Sequence, residues 1–123
     1  MVRLALLALL GLLAGMAPAA ANPADDREIG FLISSVQSLQ GASFLRNGSS
    51  YDAASAADHL RLKLRNAGSH VRSAEDFIRL CASTSSMSGK PYEIRFADGH
   101  TVTTEVYLKG RLGEYRLAHG PGA

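Results

Sequence analysis

The chain has 123 residues, with 13 Lys and Arg against 11 Asp and Glu, 46% hydrophobic residues and a single cysteine. That apolar content excludes a disordered chain, and one thiol excludes a disulfide-stapled miniprotein. A net charge of +2 is too small for the electrostatic footprint of a nucleic-acid binder, and the length allows one domain once a leader is removed.

Residues 1–21 read as a cleaved export signal. Arg3 gives a short positive start, an apolar run extends from Leu4 to Met16, and Ala19 and Ala21 supply the small residues of a signal-peptidase site. The cut is expected between Ala21 and Asn22. Gly11, Gly15 and Pro18 interrupt the run and no basic cluster follows, which argues against a membrane anchor. Met16 stands where a lipoprotein needs its acylated cysteine, and Arg3 alone does not make a twin-arginine signal. The expected location is the periplasm or the exterior, with residues 22–123 forming one domain and no membrane span after cleavage.

The mature chain opens with a helix. Asp25, Asp26 and Glu28 favour its positive end, and Ile29, Leu32, Ile33, Val36 and Leu39 form one apolar face before Gly41. The period then changes. Ser43 to Tyr51 reads as a hairpin around Asn47-Gly48, with Phe44 opposite Tyr51 and Arg46 opposite Ser49. Asp52 caps a second helix to about Asn66, whose stripe is Ala53, Ala56, Ala57, Leu60 and Leu64. Ser73 caps a short third helix with Ala74, Phe77, Ile78 and Cys81 on its buried side. Cys81 is therefore a structural thiol, and no intramolecular disulfide can form. A polar loop, Ser83 to Gly89, leads past Pro91 to a second hairpin, Tyr92 to Phe96 and Thr101 to Thr103, turning at Asp98-Gly99. The last segment, about Thr104 to Leu117, sets Leu108, Leu112 and Tyr115 on one helical face, against the penalty of Gly110 and Gly113. The order predicts an α+β domain: a small antiparallel sheet from two short hairpins, packed against about four helices.

An ordered series of segments carries a resemblance. Phe44-Leu45-Arg46-Asn47-Gly48 is followed by Tyr51, by His59-Leu60-Arg61-Leu62-Lys63, by Ser73-Ala74-Glu75-Asp76-Phe77-Ile78, and by Ser85-Ser86-Met87-Ser88-Gly89-Lys90-Pro91-Tyr92. Together they resemble the YfeK-like family of small bacterial periplasmic proteins, a domain of unknown function, from about Ile29 to Tyr115. The resemblance implies a bacterial, exported, single-domain protein and brings no activity, cofactor or catalytic residue. It also implies Thr in many members at the position of Ser73, which keeps the capping oxygen. In some members it implies Cys near Ser43 and Phe96, thiols this chain lacks.

The common catalytic signatures are missing: no C-x-x-C, H-E-x-x-H, G-x-S-x-G or phosphate-binding P-loop occurs. Met87 occupies the serine position of an S-x-x-K motif ending at Lys90. His59, His70, His100 and His119 are too scattered for a zinc site, so no metal or other cofactor is expected. Three segments offer binding chemistry, each with a structural alternative. Arg46 and Asn47 at a hairpin tip suit a carboxylate or phosphate, or else serve the turn. Ser85, Ser86 and Lys90, with Tyr92 beyond, could hold an oxyanion or a sugar, or else end the helix and shape the next strand. His59 is a candidate base or a helix-flank histidine, and Arg61, with Lys63 and Arg65, suits a solvated helix surface better than a phosphate groove.

The favoured reading is a non-catalytic binding or interaction module for an unknown small ligand or envelope protein, with Arg46, Asn47, His59, Arg61, Ser85, Ser86, Lys90 and Tyr92 as its residues. The alternatives are a hydrolase-like enzyme acting on envelope material, with His59 as base and Ser85 or Ser86 as nucleophile, and an accessory or structural subunit of an envelope protein.

Overall fold

A computed structural model describes residues 22–120; the expected export signal at 1–21 lies outside the described residues. Helix α1, Pro23–Gln37, starts where Asn22 Oδ1 accepts the Asp25 N–H at 3.0 Å and Pro23 occupies the first turn. Its stripe of Ile29, Leu32, Ile33 and Val36 is buried, while Leu39 lies beyond the helix end and is half-buried.

Strands β1, Ser43–Arg46, and β2, Ser49–Tyr51, form the expected hairpin with Phe44 opposite Tyr51 and Arg46 opposite Ser49. Asn47, at φ 51°, is the one non-glycine residue with positive φ among the described residues, and Gly48 follows at 80°. That is the left-handed pair a two-residue turn requires. Helix α2, Ala53–Ala67, begins at Asp52, whose Oδ1 accepts the Ser55 N–H at 2.8 Å.

Helix α3, Ala74–Phe77, widens into a π turn over Ile78–Ala82. The sequence predicts only a short helix here. The wider turn brings Phe77, Ile78, Cys81 and Ala82 all into the core, and Ser83 Oγ closes it by donating to the Ile78 carbonyl at 2.7 Å. Cys81 is a free, buried thiol.

Strands β3, Glu93–Arg95, and β4, Thr101–Thr103, make the second hairpin. The two hairpins join through β1 and β3 into one antiparallel sheet of order β2-β1-β3-β4, with Phe44 opposite Ile94 and Ile94 opposite Val102. Phe44 and Ile94 belong to the core, with the half-buried Tyr51 and Val102 packed beside them. Alternation turns Leu45, Glu93 and Thr103 to the other face. Among the described residues the fold is α+β, four α-helices on one small antiparallel sheet.

Helix α4, Thr104–His119, is capped by Thr103 and buries Leu108 and Leu112. Gly110 and Gly113 do not end it, because tertiary packing outweighs local propensity. It is also clamped to α1. Glu28, an acid that the sequence places simply at the helix start, is fully buried, and Arg116 holds it with Nε–Oε2 at 2.7 Å and Nη2–Oε1 at 2.9 Å. Arg116 also reaches Glu75 of α3, at 2.5 Å. These contacts drive the Arg116 pKa upward, so it remains a cation at any working pH.

Removing the cation takes an ion pair and two hydrogen bonds from a buried carboxylate. Arg116→Met is therefore expected to lower unfolding free energy by about 3 kcal/mol, and adding Glu28→Leu should restore most of it; urea denaturation of both variants checks this. Equal loss in the single and double variants would show that the pair is not the source of the effect.

Candidate functional site

The joined sheet sets the end of β1 against α2. Arg46 follows Phe44 on the helix-facing side of β1, and His59 and Lys63 stand one turn apart on α2. Tyr92 precedes β3 and is buried between them. A chain of hydrogen bonds links all four. Arg46 Nη1 donates to His59 Nδ1 at 2.5 Å, which fixes the ring proton on Nε2, where it points to Tyr92 Oη at 3.2 Å. Lys63 Nζ donates to the same Tyr92 oxygen at 3.1 Å and to the Thr84 carbonyl at 3.2 Å. Tyr92 Oη thus accepts twice, which leaves its own hydrogen for a further acceptor.

Asn47 ties the hairpin tip to the serine loop. Its Nδ2 donates to Ser85 Oγ at 3.0 Å, and its Oδ1 accepts from Ser88 Oγ at 2.5 Å. Ser85 is buried and its oxygen also accepts the N–H groups of Met87 and Ser88. That oxygen holds the loop; Ser86 is exposed beside it.

Between these parts lies a groove of about 590 Å³. Arg46, Asn47, His59, Lys63 and Tyr92 line its polar side with Ser85 and Ser86, and Leu62, Leu80 and Met87 form an apolar wall. Among the described residues no acid lines it. Arg46 and Lys63 are half-buried, and neither takes part in an ion pair among the described residues, although Arg61, Arg79, Arg111 and Arg116 all do. Arg46 also lies 4.4 Å over the Tyr51 ring, and its hydrogen bond draws the Tyr51 hydroxyl pKa below the ordinary value.

Six of the residues singled out in the sequence meet here: Arg46, Asn47, His59, Ser85, Ser86 and Tyr92. Arg61 does not; it turns to Asp58 and to Gln37 of α1. Lys90 is exposed and lies outside the lining. Lys63 and Tyr51 belong to the groove without having been singled out. The signal for Lys63 is its four-residue spacing from His59, which puts both on one face of α2. His59 is bonded to Arg46 and Tyr92 and to no serine hydroxyl, so the base–nucleophile pairing of the hydrolase reading is not the one formed. No group of three or more His, Cys, Asp or Glu side chains converges as a metal ion requires, and no helix is long and apolar enough to cross a membrane, among the described residues.

Fold and groove together define a small α+β domain with a half-buried cationic cleft. The chain belongs to the Family of unknown function (DUF5329), whose model matches residues 23–116. It is similar to the Uncharacterized protein YfeK of Salmonella typhimurium, with 37% identity over 71 residues. That match covers 58% of this chain and 59% of the relative, so the chain spans about three fifths of the curated protein it matches. No solved structure matches it.

Burial first, then the charges of Arg46 and Lys63, hold the His59 pKa below its ordinary 6.5. In the window just below that value the unfolded chain binds a proton that the folded chain refuses, so stability rises with pH and falls on acidification. The melting temperature of the wild-type domain is expected to drop between about pH 7 and about pH 5.5 by more than that of His59→Gln. The other three histidines are common to both proteins, so the difference between the melting curves isolates His59. Identical pH profiles would refute the account.

Proposed function

We propose that this domain is an exported, non-catalytic binding module that captures a small oxyanion, a carboxylate or phosphate group, in the groove between α2, the first hairpin and the serine loop. The observation that carries the reading is the pair of half-buried cations, Arg46 and Lys63, without counter-ions among the described residues, in a groove whose described lining has no acid. Partial burial of a charge is unfavourable unless something of opposite sign meets it. Lys63 has three ammonium hydrogens, two of them engaged by Tyr92 and Thr84, and the third is free to donate. Tyr92 Oη–H and the Ser86 hydroxyl add neutral donors. His59 enters as a neutral spacer that orients Arg46 and Tyr92.

Export rests on the leader pattern: Arg3, the apolar run from Leu4, and Ala19 and Ala21 before Asn22. An extracytoplasmic domain of this kind would act as a receptor or carrier, and its ligand an envelope metabolite or an acidic group on an envelope component.

Titration of the mature domain with inorganic phosphate and with acetate, against chloride at constant ionic strength, tests the reading. Phosphate or acetate is expected to raise the melting temperature, and Lys63→Met and Arg46→Gln should each weaken binding about tenfold or more, as loss of a charge-assisted hydrogen bond does. Circular dichroism verifies that the variants fold. No response in the wild type, or an undiminished response in both folded variants, overturns it.

A further inference from the structure

A second cavity backs onto the same side chains. It measures about 250 Å³ and lies between the sheet and the helices α1 and α2. Val36, Phe44, Ala56, Leu60 and Tyr51 give it apolar walls, and Arg46, His59 and Tyr92 line both it and the outer groove. It is open to solvent, with the exposed Ser55 and Glu93 at its rim. Glu93 is the one acid along it, and that residue pairs with Leu45 and Thr103, on the sheet face turned away from the helices. The apolar pocket therefore opens at a guanidinium that has no acidic partner among the described residues.

We infer that the ligand is an amphiphilic organic anion: a carboxylate seated at Arg46 and Lys63, with an aliphatic tail that passes the Arg46–His59 pair into the cavity walled by Phe44, Ala56 and Leu60. The inference rests on the oxyanion reading above and extends it to a ligand class. Two features select that class. The charge at the mouth is positive and uncompensated, which suits an anionic head and excludes an alkylammonium. The size sets the tail: an apolar cavity of about 150 Å³ holds benzene, so about 250 Å³ takes a chain of roughly eight to ten carbons. A longer chain overruns it, and a headless hydrocarbon leaves the cations unmet.

Calorimetric titration of the mature domain with acetate, hexanoate, octanoate and octan-1-ol tests this. Affinity is expected to climb from acetate to octanoate by up to about fourfold for each methylene that enters the cavity, with octan-1-ol far weaker than octanoate. Ala56→Leu, which fills the cavity, should abolish the gain from chain length while leaving acetate or phosphate binding intact. Nuclear Overhauser contacts between the octanoate chain and the Phe44 and Tyr51 rings, recorded on the wild-type protein, give a check that does not depend on any variant folding. Acetate binding as tightly as octanoate, or octanoate without contacts to Phe44 and Tyr51, overturns the tail assignment and leaves the oxyanion reading standing. Octan-1-ol equal to octanoate, or no binding of any of the four, together with no response to phosphate, overturns both.

Discussion

The pairing of β1 with β3 is the constraint from which the rest of the molecule follows. Each hairpin by itself has strands of three or four residues, too short to persist in water. Joined at Phe44 and Ile94, they form a four-stranded sheet with one apolar face, and α1, α2 and α4 close over it. The same pairing has a chemical consequence. It brings the last residue of β1, Arg46, against the residue that leads into β3, Tyr92, and both against the His59 face of α2. Core and site are thus produced by one long-range contact. A shift of that register by one residue would turn Phe44 out of the core and withdraw Arg46 from His59 together.

Charge is handled in two opposite ways in this chain. In the second turn of α1, Glu28 is wholly buried and paired with the fork of Arg116, which also holds Glu75. That arrangement is closed: it joins α1, α3 and α4 and offers nothing to a ligand. At the other side of the domain, Arg46 and Lys63 are half-buried among neutral partners, an imidazole, two phenols and a backbone carbonyl. Neutral donors and acceptors fix their geometry without cancelling their charge. Evenly balanced composition conceals this contrast, because a net charge of +2 says nothing about which cations are neutralised within the fold.

Much of the architecture is legible in the residues. The caps Asp52 and Ser73 mark helix starts, Asn47-Gly48 marks the hairpin turn and its register, and the apolar stripes of α1 and α2 mark their buried faces, because each of these depends on local chemistry. The site is half legible. Arg46, Asn47, Ser85 and Tyr92 stand out as turn, loop and strand residues, yet nothing local tells that Asn47 reaches Ser85, 38 positions away. Lys63 is masked by its neighbours Arg61 and Arg65, which share its charge but point elsewhere. Glu28 and Arg116 are masked for the same reason: an acid in the first half of a helix and a base in a last turn suit the helix dipole, and only the packing of α1 on α4 reveals that they meet. The π turn at Ile78–Ala82 is invisible to periodicity, since it is imposed by the demand that four nearly consecutive side chains enter the core.

The serine loop shows why the structural and the binding readings of a polar segment need not compete. Ser83 closes the π turn, and Ser85 accepts from Asn47 and from two backbone N–H groups, so both hydroxyl oxygens are committed to the fold. Ser88 is committed as well, donating to Asn47 and accepting from the Lys90 N–H. Those bonds fix the loop against the hairpin tip, and the fixed loop is what holds the Thr84 carbonyl at the Lys63 ammonium and Ser86 at the groove. One set of hydroxyls builds the wall; the neighbour left out of that network faces the space the wall encloses. A polar run of this sort divides its labour residue by residue, and the division follows from hydrogen-bond satisfaction alone: a buried hydroxyl must find partners within the protein, whereas an exposed one remains available to whatever enters.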